Sequence, residues 1–304
     1  MPPSVIETEN LRKVYRDVVA VDSLTLSVEQ GEVFGFLGPN GAGKTTTVKM
    51  LLGLVRPSGG RASLLGYKPG EPRAMAQVGF LPEHFHYHPW LTANDFLDFH
   101  GRLYGIPDSE RRQRIPTLLE RVGLGGRGGS RLSEFSKGMT QRIGLAQALL
   151  SQPAVVFLDE PTSGLDPLGR RQVRDLIRDL RSEGVTVFLN SHLLSEVEST
   201  CDRVAIMRRG RVVGLGTIDE LTGMQLEVDV RASGLNDDLR VALAAYGRIT
   251  FSKGDRLTIQ AGDESVLPGI AAVLVNGGAQ LYSLTPRRLS LEDLFVRLVE
   301  GDTA

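Results

Sequence analysis

One nine-residue stretch constrains the fold of this 304-residue chain more than any other. Gly38-Pro39-Asn40-Gly41-Ala42-Gly43-Lys44-Thr45-Thr46 follows the apolar run Val33 to Leu37 and precedes Val48 to Leu52. That order reads as strand, glycine-rich turn and helix, and the turn fits G-x-x-x-x-G-K-[ST], the phosphate-binding P-loop. The chemistry needs these residue types. Glycines accept positive φ and place no Cβ between backbone and ligand. Successive N–H groups then face one concavity that accepts phosphate oxygens, and the helix that follows adds its positive N-terminal dipole. Lys44 is expected to reach the β- and γ-phosphates, and Thr45 to place its hydroxyl on Mg²⁺. Glycine makes up 35 of the 304 residues, so chance spacings are common here. The strand before the loop and the helix after it are what favour nucleotide binding.

Other features bound the function. A net charge of −1 gives no bulk basic field to hold nucleic acid or anionic lipid. The one cysteine, Cys201, allows neither an internal disulfide nor a cysteine metal cluster, and a cytosolic address fits. Met1 to Glu7 lack the basic start and apolar core of a secretion signal. No run approaches the roughly 18 to 20 apolar residues of a membrane span. Service to a membrane is therefore expected to go through a partner.

Taken in order, Val5 to Thr8 and Leu24 to Val28 read as strands, with Tyr15 in the first connection. Tyr15 there fits either an aromatic stacked on a nucleotide base or a tyrosine half-buried at a strand end. Pro57 to Gly60 end the P-loop helix pattern, and short strands follow at Ala62 to Gly66 and Val78 to Glu83. Between 84 and 150 the pattern turns helical: a helix begins at Thr92 to Asp95, a second spans Ile115 to Val122 and a third Ile143 to Leu150. Val155 to Glu160 reads as a fully buried strand with two acids at its C-terminal end, where ligands sit in open α/β sheets. A helix from Val173 to Arg181 and a buried strand from Val185 to Leu189 lead into Asn190-Ser191-His192, and a hairpin turns at Arg209-Gly210. A boundary falls near Gly223. Beyond it the order is βαββαβ, that of ferredoxin-like domains, and Ser290 to Asp293 then cap a final helix, Leu294 to Val299. No catalytic residue types gather in this second domain, which reads as a docking or dimerisation module.

A P-loop needs a second acid on a buried strand for its metal. Asp159 supplies it, and Glu160 is placed to polarise a water for attack on the γ-phosphate. A lone histidine is ordinarily a satisfied surface or core residue, but His192 follows the next strand's C-terminal end and is read as holding that water or the phosphate.

With these motifs together, the chain resembles the ATP-binding subunits of ABC transporters over about residues 5 to 220. Phe135-Ser136-Lys137-Gly138-Met139-Thr140-Gln141-Arg142 looks like the family signature, Leu158 to Thr162 like Walker B, Ser163 to Pro167 like the D-loop, and His192 like the switch histidine. Tyr15 matches the aromatic that stacks on adenine. The resemblance implies an α/β architecture: a RecA-like sheet, an antiparallel β subdomain and a helical insertion (about 84–150) in an ATPase domain of residues 1–222. A small α+β ferredoxin-like domain follows in 223–304. It implies ATP and Mg²⁺ as ligands, with Gly38 to Thr46, Tyr15, Ser136, Gly138 and Asp166 on the nucleotide. It puts Thr45, Asp159 and Glu83 on the metal, and Lys44, Glu160 and His192 in catalysis.

Two departures stand out. The usual Leu-Ser-Gly-Gly-Gln is here Phe135-Ser136-Lys137-Gly138-Met139, which retains a hydroxyl and an N–H at a helix N-terminus; Lys137 fits a place near the phosphate or on the surface. The Q-loop glutamine is replaced by Glu83, a carboxylate that can bind Mg²⁺ but has no NH₂ to donate. Both variants, and the tail ending Leu291-Glu292-Asp293-Leu294-Phe295, resemble the export-type ABC-2 branch. The resemblance further implies two copies sandwiching two ATP molecules, each between one P-loop and the other copy's Ser136 to Gly138. It also implies a separate permease, met near residues 84–105 on the cytoplasmic face of the membrane. His84, His86, His88 and His100 crowd that segment and admit three readings, a metal or pH site, packing beneath the insertion, and a permease contact, of which the contact is preferred. The rival functions are a non-transport ABC protein, disfavoured by one P-loop and no heptad run, a regulatory module without turnover, and an importer.

Overall fold

The computed structural model describes residues 3–84, 87–222, 226–288 and 290–300. Gly223, where the sequence places a boundary, lies outside the described residues, as does His86. The chain forms two compact units, Met1–Gly216 and Thr217–Ala304.

The first unit opens with strands β1 (Ser4–Tyr15), β2 (Val18–Glu29) and β3 (Val33–Leu37) and helix α1 (Lys44–Leu51). Then come β4 (Gly59–Leu64), α2 (Pro72–Met75) and β5 (Val78–Leu81). A helical run contains α3 (Ala93–Leu103), α4 (Asp108–Arg121) and α5 (Lys137–Leu149). The chain returns through β6 (Val155–Asp159), α6 (Pro167–Ser182), β7 (Thr186–Asn190), α7 (Leu194–Thr200), β8 (Arg203–Arg208) and β9 (Arg211–Thr217).

These strands make two sheets. One is antiparallel, in the order β2-β1-β4. The other has the order β5-β6-β7-β3-β8-β9, in which β5, β6, β7, β3 and β8 run parallel. Val155 to Asp159, Thr186 to Asn190 and Val33 to Leu37 are buried along their whole length, as strands covered on both faces must be. Phe34, Phe36 and Phe157 meet Phe188 with ring centroids 5.1–5.7 Å apart. Asp159 pairs with Asn190, and Asn190 with Phe36. The P-loop, the acid pair and the segment leading to His192 therefore leave the sheet side by side at one edge, at the carboxyl ends of adjacent strands.

Several expected boundaries move, among them the start of α4, at Asp108 instead of Ile115. Tyr15 is not in a connection but is the last residue of β1, paired with Val18 across the two-residue turn Arg16-Asp17. Helix α5 starts at Lys137 instead of Ile143, because Ser136 caps it: its Oγ accepts from Met139 N at 3.3 Å. Helix α6 starts at Pro167 instead of Val173, capped by Asp166. In both helices the apolar periodicity begins only where the helix enters the core, a turn or more after the cap.

The second unit holds α8 (Ile218–Thr222), β10 (Leu226–Ser233), α9 (Asp237–Leu243), β11 (Arg248–Lys253) and β12 (Arg256–Ala261), then α10 (Leu267–Asn276), β13 (Gln280–Arg288) and α11 (Leu291–Glu300). Its sheet is antiparallel in the order β11-β12-β10-β13, the split βαβ arrangement of ferredoxin-like domains. Val228, Val230 and Ile259 on one sheet face are buried with Leu239, Leu243, Ile270 and Leu274 of the helices. Ser290 and Asp293 exchange backbone and side-chain hydrogen bonds at 3.1 Å and so start α11 at Leu291, earlier than the sequence pattern predicts.

Candidate functional site

Gly43 is the residue on which the loop-to-helix turn depends. Its φ is +105°, and a Cβ there would lie 2.3 Å from the Ala20 carbonyl oxygen, so only glycine fits. It caps α1 without a side chain. No side-chain oxygen therefore covers the first-turn N–H groups, which is what an anion needs of a helix N-terminus. Lys44 Nζ donates to the carbonyls of Gly38 (2.6 Å) and Pro39 (3.3 Å), holding the cation against its own loop. Burial pulls the Lys44 ammonium below its ordinary range, while the charges of Glu160, Asp159 and Glu83 oppose that shift. One lysine thus faces three carboxylates.

At the end of β6, Asp159 is buried and accepts a hydrogen bond from Asn190 Nδ2. Burial pushes its carboxyl above the ordinary range, against that hydrogen bond; the charges of Glu83 and Glu160 add to the rise, and Lys44 opposes it. Glu160 adopts a left-handed backbone, φ 54°, uncommon and costly for a residue with a Cβ. Three bonds hold it: its N–H donates to Asn190 O at 2.8 Å, and its carbonyl accepts from Gln141 Nε2 and from Ser163 N, each at 3.1 Å. The Glu160 side chain is 11% exposed, and its Oε2, buried and without a hydrogen bond, faces His192 Nδ1 at 2.7 Å. His192 itself is 65% exposed. A buried carboxylate beside a solvent-facing imidazole can take a proton from a water and keep that water oriented.

The donor set offered to a cation is hard oxygen throughout: the Thr45 hydroxyl and the carboxylates of Asp159 and Glu83. That suits Mg²⁺, which binds through one or two carboxylates plus substrate phosphates rather than in an all-protein cage. Among the described residues, no group of three or more His, Cys, Asp or Glu side chains forms such a cage.

The remaining expected site residues lie elsewhere in the bonding pattern. Among the described residues, no hydrogen bond or ion pair joins Tyr15, Ser136 or Asp166 to Lys44, Asp159, Glu160 and His192. Tyr15 is exposed at the hairpin end with Lys13 Nζ 4.8 Å from its ring centre. Asp166 Oδ1 accepts from Gly169 N at 2.7 Å as the α6 cap. Ser136 and Lys137 are exposed at the start of α5, and the Lys137 stem lies against Gly164. A Cβ on Gly138 would meet Leu165 at 3.2 Å. Two residues that the sequence reading does not single out, Asn190 and Gln141, hold the acids. The available signals were a polar residue ending a buried strand and an amide at i, i+4, i+7 spacing with Leu145 and Ala148 on the core face of α5.

An apolar face is open nearby. Trp90 and Leu103 are each 67% exposed, and Phe99 and Tyr104 are exposed beside them. His88 stacks on Trp90 at 5.0 Å, and His100 sits between Phe96 (4.5 Å) and Phe99 (5.5 Å). The alternation His84, His86, His88 runs through residues outside the description, and His88 is an aromatic-packing residue.

The family model described as ABC transporter matches residues 21–163. An ABC transporter ATP-binding protein of Nostoc sp. is 43% identical, covering 98% of this chain and 90% of its own. Nod factor export ATP-binding protein I of Cupriavidus metallidurans is 34% identical over 97% of each. A solved ATP-binding subunit of an ABC transporter superposes with a TM-score of 0.67 at 32% identity, covering 71% of this chain and 91% of that one.

Proposed function

The chain belongs to the ABC transporter family, as an ATP-binding and ATP-hydrolysing subunit, and from that premise we propose that it powers an exporter. The observation that carries the catalytic reading is the meeting of Lys44, Asp159, Glu160 and His192 at one sheet edge, with a Glu160 carboxylate oxygen 2.7 Å from the imidazole. Export is supported by the resemblance to a Nod factor export protein over nearly the full length.

In this reading the Gly38 to Thr46 loop and the first turn of α1 take the triphosphate, and Lys44 moves from its own carbonyls to the phosphates. Thr45, Asp159 and Glu83 hold Mg²⁺, which when bound offsets phosphate charge. Glu160 accepts a proton from the attacking water, the oxygen bonds to the γ-phosphorus, and the bond to ADP breaks. His192 holds the water and the phosphate edge.

Ser136 and Gly138 lie at a capped helix start that no phosphate of the same copy reaches in this reading. They are assigned, with Asp166, to the nucleotide of a second copy. Tyr15 is assigned to the adenine, displacing Lys13 from its ring. Swinging the two copies from 1:99 to 99:1 closed needs about 5.5 kcal/mol of differential binding, which several charge-assisted phosphate bonds supply.

Among the described residues no helix is long and apolar enough to cross a membrane. The transmembrane partner is assigned to the open face around Trp90, Phe99 and Leu103, within residues 84–105, on the cytoplasmic side. The paired substitution Trp90→Glu and Leu103→Glu is expected to cut co-isolation with membranes about tenfold, the loss of two buried interface anchors, while ATP hydrolysis by the free chain stays within twofold. Undiminished co-isolation would move the contact elsewhere. Absence of Mg²⁺-dependent phosphate release from the membrane-assembled parent would overturn the exporter ATPase reading itself.

A further inference from the structure

We propose that Gln141 is a positioning residue for Glu160, through which the helix that begins at Ser136 sets the aim of the general base. The inference rests on the reading of Glu160 as that base.

The left-handed backbone of Glu160 is a conformation that surrounding structure must enforce. The chain enforces it at both ends of the residue. Asn190 O takes the N–H, and the carbonyl accepts from the nearby Ser163 N–H and from Gln141 Nε2, the one side-chain donor to it. The first bond lies within the sheet edge, because Asn190 also pairs with Asp159 in the ladder and donates to its carboxylate. The Gln141 bond crosses from another element: Gln141 lies in α5, a little over one turn beyond Ser136 and just under one beyond Gly138.

A packing role does not account for an amide here. Gln141 is buried, and α5 places Leu145 and Ala148 on the same buried face. A leucine or methionine would fill similar volume without the cost of burying polar atoms. What the amide adds is one directed bond, to the main chain of the residue whose side-chain Oε2 stands free beside His192. Turning the Glu160 peptide swings that oxygen away from the imidazole, and Gln141 opposes the turn. Because α5 is one rigid element, a ligand closing on Ser136 and Gly138 acts on the same helix that grips Glu160. The chemistry in one copy's P-loop site is thereby linked to occupancy of the surface that its own α5 presents.

The test is Gln141→Met, close in volume and lacking the donor, with Gln141→Glu as a second variant that stays polar and also lacks it. Each is expected to lower kcat for ATP hydrolysis by about 10- to 100-fold, the scale of a displaced catalytic group, with KM and nucleotide affinity within twofold. In a Glu160→Gln background, Gln141→Met is expected to change the residual rate less than twofold, since the positioned base is already gone. A kcat within twofold of the parent overturns the proposal. So does a full further loss in the Glu160→Gln background, and so does failure of both variants to fold, which would make the bond a packing requirement. Near-normal turnover by Glu160→Gln alone would instead remove Glu160 from the base role, and that single variant separates the two failures.

Discussion

Glu160→Gln is expected to bind ATP at least as tightly as the parent and to hydrolyse it about 10²- to 10⁴-fold more slowly, the usual contribution of a general base. The substitution changes little else. The amide has the same volume, and the three bonds that hold Glu160, from its N–H to Asn190 and to its carbonyl from Gln141 and Ser163, engage its main chain and remain. What disappears is the carboxylate oxygen that faces His192 without a hydrogen bond; an amide cannot accept the water's proton. Binding should not suffer, because one negative charge leaves a site where Asp159 and Glu83 already crowd Lys44. That change lowers repulsion toward a triphosphate. With cleavage stalled, ATP is expected to hold two copies together. Size-exclusion chromatography should show a dimer with ATP and Mg²⁺, and monomer with ADP. Turnover within threefold of the parent would exclude Glu160 as the base. A weakened ATP affinity would mean that Glu160 binds substrate instead.

The parts of this site that could be read from the sequence are those whose signal is local. Val33 to Leu37 and Val155 to Asp159 announce themselves as strands because every residue along them is buried, and the loop between strand and helix carries its own spacing. The helix starts at Lys137 and Pro167 were less legible. Their first turns are polar, and the caps Ser136 and Asp166 signal only through hydrogen bonds to Met139 N and Gly169 N. Tyr15 reads as a connection residue because a two-residue turn, with Arg16 at φ 50°, needs no glycine or asparagine to mark it. The left-handed backbone at Glu160 was not legible. Beside the local Ser163 N–H, it is held by Asn190 and Gln141, 30 and 19 residues away along the chain, and these two bonds exist only once the sheet edge and α5 have come together. Chemistry-bearing residues are thus visible one by one, whereas the bonds that aim them are tertiary.

Lys44→Ala is expected to weaken ATP binding by about 10- to 150-fold, since a hydrogen bond to a charged group is worth about 1.5 to 3 kcal/mol and each 1.4 kcal/mol is tenfold. The ammonium is held by the carbonyls of Gly38 and Pro39, so it stands at the loop before ligand arrives and little ordering is required of it. Its removal acts twice. The phosphates lose their cation, and Glu83, Asp159 and Glu160 lose the positive charge that opposes their mutual repulsion. The loop itself should survive, because its turn into the helix rests on Gly43, the cap of α1 at φ +105°, which does not involve the lysine side chain. Thermal unfolding of the ligand-free protein should therefore shift by no more than a few degrees. The comparison that identifies the contact is ATP against ADP. If Lys44 reaches the γ-phosphate, the substitution costs ATP several-fold more than it costs ADP, and titration of both with a fluorescent analogue reads the difference. Equal losses would place the ammonium on the β-phosphate alone. An unchanged affinity for both would mean that Lys44 stays on its own carbonyls and that the backbone N–H groups hold the nucleotide without it.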